Sequence, residues 1–376
     1  MALFDFLKTA PKIRIDFNDG PCVEIMENAD SHRVAMLDGN TIVHETQIQG
    51  NQWTRAHKKY YADWKLQVFR NNSKKVFEHE FDLKNKTVRV NIDSKSLGDT
   101  LAWVPQIQRF AEQHPDSRIY VSQFWENLFD QSAYPKLHFI DPASTVENCY
   151  ATYNIGYYFD NMQWYHPTDP RTLPLGQVAA DVLGISFIEE RPILTPVNNT
   201  PDDTRQPYVC IGTASTAECK HWLYPNGWQT IVEYLIQNGL QTMVIQKEET
   251  TLERINDQTG ERPITERVEQ LLNCEFFIGL GSGLSWLAWA VGKPVVLIAG
   301  FSEPYTEFKH NCVRVINSTA CTGCWNDTQY SFDRGDWNWC PRHKGTNREF
   351  ECSKSITPEM VIHGIENIMT TNNGTA

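Results

Sequence analysis

Apolar and polar positions alternate in short runs over KIRIDF (12–17), PCVEIME (21–27), RVAMLDGNTIVHETQI (33–48), DWKLQVFR (63–70) and KVFEHEFDL (75–83). A period of two turns one face of an extended chain inward, so each run predicts strand, and NDG, LDGN and RNNS supply the turns between them. Residues 1–90 are thus predicted to form a β-rich domain. The period then changes. TVRVNID (87–93) is a strand and SKSLGDT a loop, and Leu101, Val104, Ile107 and Phe110 recur at the spacing of a helix face before the next strand, SRIYVSQ (117–123). Strand, glycine loop, helix and strand make a βαβ unit.

A second series starts at QPYVCIGTAS (206–215) and runs through the helix NGWQTIVEYLIQNG, the strand QTMVIQKE, the helix PITERVEQLLNC, the strand EFFIGL, the helix GSGLSWLAWAVG and the strand KPVVLIAG (293–300). Gly239 and Gly292 fall where helices end in the left-handed conformation. Between the series, TLPLGQVAADVLG predicts one helix, and the Pro-, Asn- and Asp-rich stretch after it a linker. The expected fold class is α/β, with two Rossmann-like domains at 91–200 and 201–376 behind the β-rich domain.

At 376 residues the chain is too long for one core of common size. No apolar run reaches the roughly 18 residues that span a membrane. The start, MALFDFLKTAPKIRIDF, lacks the marks of a secretion signal, which predicts a cytoplasmic protein whose ten cysteines are thiols or metal ligands rather than disulfides. The net charge of −12 makes nucleic acid a poor partner.

Three loops carry candidate chemistry. In SKSLGDTLAWVP, Gly98 allows a tight turn and Asp99 stands at the mouth of a helix, as a cap or, at the carboxyl end of a strand, as a functional carboxylate. In IGTASTAECKHW, Thr213, Ser215 and Thr216 join the ammonium of Lys220, a set suited to a diphosphate. In FFIGLGSGLSW, Gly279, Gly281 and Gly283 bare a helix N-terminus beside Ser282 and Ser285, where backbone amides favour phosphate; close helix-to-sheet packing explains the glycines equally. Cys210, Cys219 and Cys274 read as small buried residues.

Four of the ten cysteines, Cys321, Cys324, Cys340 and Cys352, are spaced C-x2-C-x15-C-x11-C. A C-x-x-C pair brings two thiolates onto one ion and two more complete a tetrahedral site, with His343 as a substitute ligand. Disulfides or unrelated thiols are the alternatives. Spacing alone allows zinc or iron.

Together SLGDTLAWVP, ASTAECKHW, FFIGLGSGLSWLAWA, KPVVLIAGFSEPYTEF and CTGCW…DWNWCP…FECS resemble the bacterial autotransporter heptosyltransferases, in the family's order and from about residue 90 to the C-terminus. The resemblance implies the two-Rossmann glycosyltransferase fold (GT-B), preceded by a β-rich domain. It implies inverting transfer of heptose from ADP-heptose to serines of an autotransporter adhesin, without a catalytic metal. Asp99 would then be the base and Lys220 the diphosphate-binding lysine, with Thr213, Ser215, Thr216, Gly281, Ser282, Gly283 and Ser285 at the donor. The finger at 321–352 would hold one structural iron per chain and present exposed Trp325, Trp337 and Trp339 to a neighbouring subunit of a large ring. Another sugar nucleotide or a non-protein acceptor remains an alternative, as does a non-catalytic metal-stabilised scaffold.

Overall fold

The computed structural model describes residues 12–26, 30–71, 73–125, 127–197, 206–331 and 338–373. The tail of the expected linker and Trp337 therefore lie outside the described residues. The alternating segments form β1 (Ile13–Asn18), β2 (Cys22–Ile25), β3 (His32–Asp38), β4 (Thr41–Ile48), β5 (Gln52–Arg55), β6 (Trp64–Arg70) and β7 (Lys74–Glu80). Four of them make an antiparallel sheet in the order β4-β3-β6-β7. The other three do something the period could not reveal. They continue a sheet begun by β8 (Thr87–Ile92), β9 (Arg118–Ser122), β10 (Leu137–Ile140) and β11 (Ala151–Ile155), in the order β10-β9-β8-β11-β1-β2-β5. The junction is the parallel pairing of β1 with β11, Phe17 opposite Ala151. The N-terminal region is β-rich as expected, but its strands are shared with the first Rossmann-like sheet.

Helix α1 (Leu97–Gln113) covers that sheet with Leu101, Val104, Ile107 and Phe110, all fully buried, and packs on α3 (Leu175–Val182); a short α2 (Met162–Tyr165) lies between them in the chain. It begins earlier than the period indicated. Ser96 is its N-cap without a side-chain hydrogen bond, and Asp99 is its third residue, inside the first turn.

The second half follows the expected order, with two strands, β14 and β17, added to it: β12 (Tyr208–Gly212), α4 (Gly227–Gln237), β13 (Gln241–Val244), β14 (Asn256–Asp257), α5 (Ile264–Leu272), β15 (Phe277–Leu280), α6 (Gly283–Ala290), β16 (Val295–Ile298) and β17 (Cys312–Val315). Its six strands form a parallel sheet, β14-β13-β12-β15-β16-β17. Strands β12, β15 and β16 are buried on both faces, which explains their continuous apolar runs. After a short α7 (Glu351–Lys354), α8 (Pro358–Asn373), which the sequence reading passed over, lays Val361, Ile365 and Ile368 into the core beside β16 and β17.

The halves meet where α1 touches α6. A Cβ on Gly98 would sit 2.8 Å from the Trp286 ring, and one on Gly283 would sit 3.0 Å from Leu97 Cβ. Gly98 thus serves helix contact rather than the tight turn expected of it. No helix among the described residues is long and apolar enough to cross a membrane.

Candidate active site

A cleft of about 670 Å³ opens at the carboxyl ends of both sheets, where ligands gather in doubly wound folds. The β8–α1 junction brings Lys95, Ser96 and Asp99, and the segment after β11 brings Tyr157 and Phe159. From the other half come Ser215, Thr216 and Lys220 after β12, Gln246 to Glu248 after β13, Gly281 to Leu284 after β15, and Phe301 and Ser302 after β16.

Asp99 receives the Ser94 hydroxyl on Oδ2 at 2.6 Å. Removal from water pushes its carboxyl above the ordinary 3.8, while Ser94, the positive charge of Lys220 and Ser96 pull it back. A shielded carboxylate facing an ammonium from the opposite half is suited to taking a proton beside an anionic leaving group. Lys220 closes a short helical turn, Glu218–Lys220, whose start is held by the His221 ring: Nε2 lies 3.1 Å from the Ser215 amide and 2.9 Å from its carbonyl. The same loop hangs on buried Gln246, whose Oε1 accepts from the amides of Thr213 and Ala214 and the hydroxyl of Thr213.

At the start of α6, Ser282 is the N-cap and its hydroxyl caps nothing, which leaves the first-turn amides for an incoming anion. Gly281 makes room for the Glu307 carboxylate beside that turn, since a Cβ there would sit 2.8 Å from Glu307 Oε1. Glu307 is itself fixed by Arg314 at 2.6 Å and by the Ser302 hydroxyl at 2.8 Å.

Asp99, Ser215, Thr216, Lys220, Gly281, Ser282 and Gly283 thus share one cleft. Thr213 and Ser285 do not join its wall. The Thr213 hydroxyl is spent on Gln246, and Ser285 is fully buried with its hydroxyl on the Leu280 carbonyl at 2.5 Å, because residue 285 of α6 faces the sheet. Tyr157, Trp125, Gln246 and Glu307 are not singled out by the sequence pattern, whereas Trp325 is, as an exposed interface residue rather than a wall of the cleft. The GYYF run directly after a strand is the signal that could mark Tyr157. Burial raises the Tyr157 hydroxyl well above its usual value, helped by the charges of Asp99, Glu307 and Asp169.

The finger lies against this cleft. Buried Arg171, from the first half, donates through Nε to the Trp325 carbonyl at 2.8 Å and through its terminal nitrogens to those of Tyr330 (2.5 Å), Asp327 (2.7 Å) and Cys324 (3.4 Å). Asn326 returns a bond from Nδ2 to the Arg171 carbonyl at 2.6 Å. Trp325 and Trp339 are half-buried, not exposed as expected; Trp325 packs on Tyr157 and lines the cleft.

All four finger cysteines are free thiols. Cys324 and Cys340 are buried in an apolar cluster with Ala217, Cys219, Phe301 and Phe350. Burial pushes the Cys324 and Cys352 thiols up to about 12, and each feels Cys321 and Cys340. Among the described residues no three His, Cys, Asp or Glu side chains are arranged to hold a metal ion, so the closed tetrahedral finger expected from spacing is not what the structure presents. Four thiolates brought together repel one another unless a cation sits among them. As a donor set, four free thiols within electrostatic reach of one another still suit a soft ion.

The cleft between two Rossmann-like sheets, with a carboxylate on one side and phosphate-type donors on the other, is that of a nucleotide-sugar glycosyltransferase, and residues 177–329 match glycosyltransferase family 9 (heptosyltransferase). The autotransporter heptosyltransferase BAHTCr of Citrobacter rodentium is 38% identical over 363 residues, 93% of this chain and 87% of the relative. The crystal structure of the dodecameric iron-containing heptosyltransferase TibC of Escherichia coli in complex with ADP-D-β-D-heptose superposes with a TM-score of 0.88 at 34% identity, covering 99% of this chain and 100% of that one. The inactive autotransporter heptosyltransferase BimC of Burkholderia thailandensis is 32% identical over 369 residues, 95% of this chain and 86% of the relative. The chain belongs to the autotransporter heptosyltransferase family.

Proposed function

We propose that this chain transfers heptose from ADP-heptose to serine hydroxyls of an autotransporter adhesin, by a single inverting displacement. The observation that carries the reading is Asp99 and Lys220 facing one cleft from opposite halves, with the open N-terminus of α6 beside them. Asp99 takes the proton of the acceptor hydroxyl as its oxygen bonds to the anomeric carbon. The bond from that carbon to the diphosphate breaks on the opposite face, and its electron pair leaves on the phosphate oxygen. Lys220 and the α6 amides stabilise that charge, with Ser215, Thr216, Gly281, Ser282 and Gly283 shaping the donor site.

The relatives support the donor and acceptor, and the iron and dodecamer of TibC support a resident iron and a homo-oligomeric ring. Cys321, Cys324, Cys340 and Cys352 would hold that iron. Bound by four thiolates it supplies shape rather than reaction chemistry. A cytoplasmic location and a boundary near residue 200 between the two halves belong to the same reading.

Incubation with an acceptor adhesin and a panel of sugar nucleotides, read by intact mass, tests the assignment. A heptose increment is expected. A hexose increment would shift the donor, and intact donor binding without transfer would favour the non-catalytic scaffold, a reading the inactive relative BimC supports.

A further inference from the structure

Lys220 reaches the cleft from a short turn with no sheet hydrogen bonds of its own, and the finger is what stands behind that turn. The Ser353 hydroxyl, buried and next to Cys352, accepts from the Leu223 amide at 2.8 Å and donates to the His221 carbonyl. One side chain therefore pins the two residues that bracket Trp222, directly after Lys220. On the other side the Asn338 Oδ1 accepts from the Glu218 amide at 3.3 Å. Ala217 and Cys219, on either side of Glu218, are packed into the apolar cluster that holds Cys324, Cys340 and Phe350. The turn is thus held before and after the lysine by residues of, or beside, the four-cysteine segment.

We propose that Ser353 is a positioning residue for Lys220: it fixes the backbone from which the ammonium reaches the donor diphosphate, and so makes donor affinity depend on the finger. This rests on the diphosphate reading of Lys220 above. A lysine carries four rotatable bonds, so its charge is aimed only as well as its backbone is held.

The test uses the full-length, metal-loaded oligomer and ADP as probe, by titration calorimetry. Ser353→Ala removes both of its hydrogen bonds to the turn and should weaken ADP about five- to tenfold, with metal content and oligomeric mass unchanged. Ser353→Thr, which keeps the hydroxyl, should restore affinity. In a Lys220→Ala background the further effect of Ser353→Ala should vanish, because the two act through one contact. An undiminished effect there, or wild-type affinity in Ser353→Ala, overturns the proposal. Should Ser353→Ala not fold, Asn338→Ala on the exposed tie carries the same cycle with the same outcomes. If Lys220→Ala alone leaves ADP affinity intact, it is the diphosphate reading that fails.

Discussion

Replacing Asp99 by Asn removes the proposed base while keeping the shape of the side chain, including an oxygen for the Ser94 hydroxyl now bound at 2.6 Å. A positioned base contributes about 10²- to 10⁴-fold, and a carboxyl raised above 3.8 by removal from water is the stronger base, which places the expected loss in the upper half of that range. At about 1.36 kcal/mol per decade this is roughly 4–5 kcal/mol of transition-state stabilisation. Transfer to the acceptor and ADP affinity should be measured together: the first should collapse and the second hold. The pH profile adds an independent reading. Wild-type transfer should fall on the acid side with a midpoint above 3.8, and the residual rate of Asp99→Asn should be flat there. Stability should move the other way. Because the folded carboxyl titrates higher than the unfolded one, the unfolded state ionises first as pH rises, so wild type loses stability between 3.8 and the folded value. Asp99→Asn is free of that loss and should melt no lower than wild type at pH 7. Unchanged transfer, or lost transfer with an equal loss of ADP binding, would refute Asp99 as the base.

If the Lys220 charge meets the diphosphate in ground and transition states as proposed, Lys220→Ala should raise the KM for donor and lower kcat together, about tenfold or more each; steady-state kinetics that moved only acceptor KM would misplace the phosphate site. Cys321→Ser with Cys324→Ser should release the proposed iron and shift the proposed homo-oligomer to smaller species in light scattering, whereas full mass without metal would detach assembly from the finger. Gly98→Ala drives a methyl into the Trp286 ring at 2.8 Å and should destabilise by about 1–3 kcal/mol in urea unfolding while lowering transfer, because the two halves part at α1 and α6.

What the sequence disclosed was whatever has a local period or a local spacing. The apolar runs of β12, β15 and β16 marked a parallel sheet, and the spacing of Leu101, Val104, Ile107 and Phe110 marked the buried face of α1. Helix α8 carried the same kind of signal in Val361, Ile365 and Ile368 and was simply passed over. Side-chain direction was a different matter. Ser282 and Ser285 look alike as hydroxyls on a glycine-rich helix start, yet three residues of rotation put one at the cleft and the other on the Leu280 carbonyl. Arg171, Gln246 and Ser353 act on backbone far away in the chain, and no spacing within a motif encodes such a partner. Trp325 and Trp339 depart from expectation for a related reason: composition tells that Trp325 prefers a surface contact, not that the surface belongs to its own chain.

The joining of β1 to β11 has a bearing on how the protein comes to be made. Thr152 donates to the Asn18 side chain at 2.7 Å across 134 residues, and the sheet that carries Asp99 has β1, β2 and β5 as one flank. A ribosome adding about 5–20 residues per second therefore leaves β1 without its β11 neighbour for roughly 7–27 seconds. During that interval β1 and β2 present an unpaired edge, the kind of edge through which nascent chains aggregate. Deleting the first fifty-odd residues would not trim an appendage; it would leave the facing edge of β11 permanently unpaired, within the sheet that carries Asp99.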